Sequence, residues 1–271
     1  MLSRFKVVVL FLLATILLPR AGMADSLRIY AAGSLGAAFK DMISAFPAAP
    51  GAVAAPVFGA SGLLREKIEQ GAPADILASA DMTQPRRLAE GHPGRTVILF
   101  TRNRICALAR ENLGLKSGNF LDRLLDPSVR LATSTPGADP SGDYTWAVFA
   151  RAEAVHPGAQ VILQAKAMKL MGGGALTPPL VPGHGSVQGI FLANRADVVF
   201  GYCSGFGPAM REVPGLVSVA LPPALSVGAD YGMVVLSDNP LADRFALFVM
   251  SEQGQAILQK HGFDAIGIAA P

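Results

Sequence analysis

Charge is scarce in this 271-residue chain: 16% of residues are Asp, Glu, Lys or Arg, and aromatics make up 7% with a single Trp. With a mean hydropathy of +0.39, that scarcity excludes a disordered polymer, which needs low hydrophobicity and high net charge. Cysteine is limited to Cys106 and Cys203. Two such residues cannot build a zinc site; they form either one disulfide in an exported protein or two buried thiols. The four histidines, His92, His156, His184 and His261, fall in turns or at helix ends. None stands beside a serine in a nucleophile elbow, and no nucleotide-type phosphate loop occurs. Gly (29 residues) and Pro (20) follow no period, so collagen-like chains are excluded as well.

Long apolar runs are also lacking, apart from Val7 to Leu18, which only Thr15 interrupts. Arg4 and Lys6 precede it, Pro19 ends it, and Gly22-Met23-Ala24 offers small residues before a cut. Residues 1–24 therefore read as a secretory signal peptide cleaved after Ala24; an uncleaved anchor would need ~20 apolar residues. Arg4, Lys6 and Arg20 leave with that segment, so the remainder carries 20 basic and 20 acidic residues. The basic balance belongs to the export signal, and nucleic acid is not expected as a partner.

Along the mature chain, strand patterns alternate with helix patterns. Ser26 to Ala32 alternates as a strand, then Leu35, Ala38, Phe39, Met42, Ile43 and Phe46 recur at helical spacing. Val53 to Phe58 and the helix from Leu63 repeat the unit, and Ala74 to Ala78 opens a third with Pro85 to Ala89. Alternation of this kind implies an α/β fold with a mostly parallel sheet flanked by helices. Thr96 to Ala109 reads as a long crossing strand into a second unit, and Tyr231 to Leu236 as the return. The expected organisation is lobe I from 25–102 and 228–271, and lobe II from 103–227, with hinges near Phe100 to Ile105 and Ala224 to Tyr231. Thr135 to Gly142 reads as a rigid loop before a helix from Asp143, and Val161 to Met171 as one helix. Gly172 to Gly185 is too rich in Gly and Pro for regular structure.

Ser34 and Ser61 each stand where a strand turns into a helix. Either serine could be an N-cap. As a pair they suggest a shared ligand, because helix N-termini expose unpaired N–H groups and partial positive charge. In an open α/β sheet both turns lie at the carboxyl ends of the strands, where ligands bind.

Three segments carry a resemblance: Ala31-Ala32-Gly33-Ser34-Leu35, Phe58-Gly59-Ala60-Ser61-Gly62-Leu63, and the string from Gly71 to Asp81 (GAPADILASAD). Together they resemble the N-terminal signatures of periplasmic molybdate-binding proteins. Looser similarity continues through Pro140 to Tyr144, Ala196 to Tyr202, Gly254 to Leu258 and Gly262-Phe263. The resemblance implies a two-lobed type II periplasmic binding fold with the ligand cleft between the lobes. Such a receptor is a monomer that binds molybdate, or tungstate, as a tetrahedral oxyanion and delivers it to an ABC transporter permease. It implies no enzymatic activity, no cofactor, and molybdenum only as bound oxyanion. Carried over by motif, the ligand-binding residues are the hydroxyls of Ser34, Ser61 and Tyr202 and the backbone N–H groups of Ser141 and Val187. Asp75 and Asp81, the acids of the third signature, are expected to be structural caps.

The middle of the chain departs from that pattern. Val187-Gln188 stands where the family has Val-Arg and lies about one turn too close to Tyr202, and His184 falls nearby. Cys203-Ser204-Gly205 replaces a Ser-Asp-Ala run. Alternatives therefore stay open: the same fold with sulfate or a small organic carboxylate or phosphonate, or a secreted serine hydrolase using Ser34 or Ser61. A hydrolase would need a base within reach of the serine.

Overall fold

The structure, a computed structural model, describes residues 26–174 and 179–266. The signal-peptide segment and residues 175–178 of the glycine-rich stretch lie outside the described residues. The first lobe is built on β1 (Ile29–Ala32), which pairs in parallel with β2 (Val57–Gly59) and β3 (Ile76–Ser79). Each strand runs into a helix: α1 (Gly36–Ala45), α2 (Ser61–Glu69) and α3 (Thr83–Glu90). Parallel pairing requires such crossovers, and it buries both strand faces; β1 and β3 are buried almost throughout.

The 14-residue strand β4 (Val97–Arg110) joins the lobes. Its first part, Val97 to Arg104, pairs with β9 (Gly228–Val235), and from Ile105 it pairs with β7 (Val198–Tyr202). β8 (Leu216–Ala220) takes the other edge of that second part. β5 (Leu131–Ser134) and β6 (Ala167–Met171) extend the second sheet beside β7. Helices α4 (Phe120–Leu125), α5 (Pro140–Val155), α6 (Ala159–Lys166), α7 (Ser186–Leu192) and α8 (Gly207–Glu212) belong to this lobe. The chain then returns through β9 to α9 (Pro240–Met250) and α10 (Glu252–Lys260). No described helix is long and apolar enough to cross a membrane.

Phe39, Phe46, Phe100 and Phe245 form edge-to-face pairs between α1, β4 and α9, with centroids 5.2–6.1 Å apart. Such pairs add roughly 0.5–1.5 kcal/mol each beyond area burial.

Two expectations are corrected here. Val161 to Met171 is not one helix: α6 stops at Lys166, and Ala167–Met171 pairs in parallel with β5 as an edge strand. The helix-favouring Met, Lys and Leu yield because Ala167 and Met171 are buried in that pairing. Asp75 does not cap a helix. Its carboxylate accepts the Arg28 backbone N–H (2.7 Å), both ends of the Arg28 guanidinium (3.1 Å each) and the Ser237 hydroxyl (2.6 Å), which clamps β3 to β1 and to the end of β9. Asp81 does cap, accepting the Gln84 N–H of α3 at 3.1 Å and the Ser79 hydroxyl at 2.7 Å.

Burial opposes ionisation of Asp75, but the Arg28 and Ser237 hydrogen bonds outweigh it and hold the carboxyl below its usual range. A depressed carboxyl stabilises the fold above its unfolded value of ~3.9 and loses that contribution as pH falls toward the folded value. Asp75→Asn should therefore lower stability at neutral pH and flatten its fall below about pH 4. Urea midpoints across that range test this; parallel curves for the two proteins would contradict it.

Candidate functional site

The two lobes enclose a cleft of about 390 Å³. On the first-lobe side β1 ends in a 3-10 turn, Gly33–Leu35, that leads into α1 and carries Ser34 into the cleft wall. Ser141 is the second residue of α5, Val187 the second of α7, and Tyr202 the last of β7. Four of the five expected residues, Ser34, Ser141, Val187 and Tyr202, thus line one cleft. Ser61 stands one layer back: it is 1% exposed, and its Oγ accepts the Ala80 N–H at 3.1 Å. That bond leaves the Ser61 O–H proton to donate elsewhere.

Neither serine caps its own helix. The N-caps are Leu35 and Ala60, without side-chain bonds, while Ser34 Oγ pairs with the Tyr231 hydroxyl at 2.9 Å. Tertiary partners hold both hydroxyls away from the local backbone. Asn103 Nδ2 donates to Ser204 Oγ at 2.7 Å and to the Tyr231 hydroxyl at 3.4 Å, so Ser34 is fastened to β4 and β9, the two strands that join the lobes.

Tyr202 is different. Its hydroxyl is buried beside the Tyr231 hydroxyl but makes no hydrogen bond of good geometry. Burial, with Tyr231 and Asp139 nearby, pushes its ionisation well above the ordinary tyrosine value, so it remains a neutral donor. A buried donor without an acceptor costs about 1–3 kcal/mol.

The loop expected over Thr135 to Gly142 is shorter than predicted, because α5 begins at Pro140 with Asp139 as its N-cap. Gly142 permits this: a Cβ there would lie 2.6 Å from the Pro136 nitrogen and 2.7 Å from the Ser134 carbonyl oxygen. Asp139 is a cleft residue that the sequence reading missed. Its Oδ1 accepts the Ser141 N–H at 3.1 Å and its Oδ2 accepts the Ser134 hydroxyl. The Ser141 N–H, expected to face a ligand, is therefore engaged by an internal carboxylate. An Asp-Pro pair is a helix-start signal, and it was available in the sequence. Burial raises the Asp139 carboxyl, with Asp143 and Asp81 adding repulsion, while the Ser134 and Ser141 bonds oppose the rise. Gln188 also lines the cleft, whereas His184 turns to Glu212.

No Lys, Arg or His lines the cleft among the described residues, and no described cluster of His, Cys, Asp and Glu could hold a metal ion. The lobes meet beside the site, where the Gly62 N–H at the start of α2 donates to the Ala138 carbonyl at 3.1 Å. A disulfide joins Cys106 on β4 to Cys203, the residue after Tyr202. Hydroxyl and amide donors in a cation-free cleft suit recognition of an anion by hydrogen bonds.

This architecture, two α/β lobes joined through β4 and β9 around a cleft, is that of the type II periplasmic binding proteins. The sulfate-binding protein SubI of Mycobacterium tuberculosis superposes with a TM-score of 0.72 at 18% identity, covering 89% of this chain and 87% of that one. The chain belongs to the bacterial extracellular solute-binding proteins, whose family description matches residues 27–264. An uncharacterised protein of Pasteurella multocida is 34% identical over 208 residues, 76% of this chain and 85% of its own length. The molybdate-binding protein ModA of Mycobacterium tuberculosis is 28% identical over 252 residues, 89% of this chain and 85% of its own. The protein is accordingly a periplasmic solute-binding protein of the ABC-transporter type.

Proposed function

We propose that this protein captures a tetrahedral oxyanion, molybdate or tungstate, and passes it to the permease of an ABC importer. The observation that carries the reading is the Tyr202 hydroxyl, a buried donor without a well-formed hydrogen bond on the wall of a cleft that has no cation among its described lining residues. An oxyanion would supply a well-placed acceptor. Around it the Ser34 hydroxyl and the Ser141 and Val187 N–H groups would complete the set, all neutral donors, with the Ser61 hydroxyl behind them holding the Ala80 N–H. Desolvation of a dianion needs several such bonds converging on it. The resemblance of the serine signatures, together with the relative named as molybdate-binding, favours molybdate and tungstate within this class.

Two moving units, 25–102 with 228–271 and 103–227, would close on the anion as a monomer, after removal of residues 1–24 on export. The cleft volume of about 390 Å³ favours one second reading, an organic phosphonate or carboxylate, since small-molecule sites run from ~300 Å³ upward. Calorimetry of the mature protein against molybdate, tungstate, sulfate, phosphate and a small phosphonate separates these. Heat with molybdate and tungstate supports the first reading; heat with the phosphonate alone replaces it with the second.

Tyr202→Phe should weaken anion binding roughly ten- to hundredfold, the ~1.5–3 kcal/mol of one hydrogen bond to a charged group. The same change should leave the ligand-free protein as stable or slightly more so, because it removes a buried hydroxyl without a well-formed hydrogen bond. A thermal melt with and without ligand reads both; loss of stability without loss of affinity would contradict the assignment.

A further inference from the structure

The Asp139 carboxyl is a repulsive neighbour for an anion, and the ligand set proposed above does not use it. It lines the cleft, and it holds the Ser141 N–H that the anion would need. The other groups around it are Ser134 from β5, Gly172 after β6 and Asp143 from α5, with Asp81 from the first lobe. The hydroxyls of Tyr202 on β7 and Tyr231 on β9 also lie within its electrostatic reach. None of these is a cation. An ionised carboxylate and a dianion repel each other across such a cleft, and none of its described lining residues carries a positive charge to offset that repulsion.

We propose that Asp139 makes capture proton-coupled: the bound dianion and the Asp139 carboxyl hold one proton between them, and the Ser141 N–H transfers from Asp139 to the anion. The balance is simple. A proton from solvent joins the Asp139 carboxylate as the dianion enters, an O–H···O bond forms between carboxyl and anion, and the Ser141 N–H···Oδ1 bond is exchanged for one to an anion oxygen. Asp139 then acts on specificity, admitting either a dianion together with a proton or an anion that already carries one. The burial that raises its carboxyl works in the same direction.

The proposal rests on the oxyanion reading, and one experiment distinguishes the failure of each. Molybdate is titrated calorimetrically into the mature protein at pH values from about 6 to 9, each in two buffers of unlike ionisation enthalpy, which yields the number of protons taken up. Uptake should approach one toward the alkaline end, and affinity there should fall about tenfold per pH unit. Asp139→Asn, which keeps a competent N-cap, should show no uptake and a flat affinity. Ser134→Ala removes a donor to the carboxylate, raises the carboxyl in the free protein and should move the onset of uptake to higher pH. Binding without proton uptake in the unaltered protein across the range, or uptake that survives Asp139→Asn, overturns the proposal alone. Absence of binding heat in every buffer overturns the oxyanion reading instead.

Discussion

Gly62→Ala should lower ligand affinity about a hundredfold, ~2.7 kcal/mol, while leaving the free protein intact. Gly62 stands in the first turn of α2, directly against the second lobe. A Cβ on it would lie 2.7 Å from the Ala138 carbonyl oxygen and 2.9 Å from that of Gly137. Both obstacles are backbone atoms, so no side chain can rotate away. The lobes must separate, the Gly62 N–H to Ala138 bond is lost, and donors on opposite walls no longer converge on one anion. Within its own helix the methyl group is harmless, because Gly62 has a helical backbone, and alanine there adds roughly 0.4–1 kcal/mol by restricting the unfolded chain. The melting temperature without ligand should therefore hold or rise while the ligand-induced increase nearly vanishes. An unchanged affinity would show that the lobes do not need this contact to close.

Removing the Cys106–Cys203 disulfide should cost about 4–5 kcal/mol in the chain-entropy model, since it closes a loop of 97 residues. For a chain of this size that corresponds to a fall of roughly 10 °C or more in melting temperature. The bond ties the connecting strand β4 to the residue after Tyr202, so its loss also frees the end of β7 that carries the donor. A double Cys106→Ala, Cys203→Ala variant, compared with the oxidised protein by melting and by molybdate titration, should lose stability strongly and affinity modestly. A melting temperature within a degree or two of the oxidised protein would show that the native pairing of β4 with β7 already confines the unfolded chain.

Much of the fold is legible in local patterns. The expected strand over Thr96 to Ala109 coincides within one residue with β4, and β3, α3 and β9 lie within one to three residues of their predicted bounds. These segments are strongly periodic or closed by Gly and Pro, so local preference and tertiary packing agree. Val161 to Met171 failed because a short edge strand obeys its pairing partner rather than its own propensity. Thr135 to Gly142 failed for another reason: its glycines and prolines read as loop, although Asp139-Pro140 opens a helix. The disulfide could not be chosen over two thiols from spacing alone, because residues 97 apart are brought together only by the pairing of β4 with β7.

The order of residues by itself determined the α/β class, the strand-to-helix turns that carry Ser34 and Ser61, and Tyr202 at the end of a buried strand. Each of these depends on contacts between near neighbours, whose period and capping chemistry are written locally. Only the tertiary structure decided that Ser61 stands behind the wall, that Ser34 answers to Tyr231, and that Asp139 occupies the Ser141 N–H. Those three facts turn on where a hydroxyl or carboxyl points once distant strands have packed, and a side chain with several partners in reach takes its direction from the whole fold.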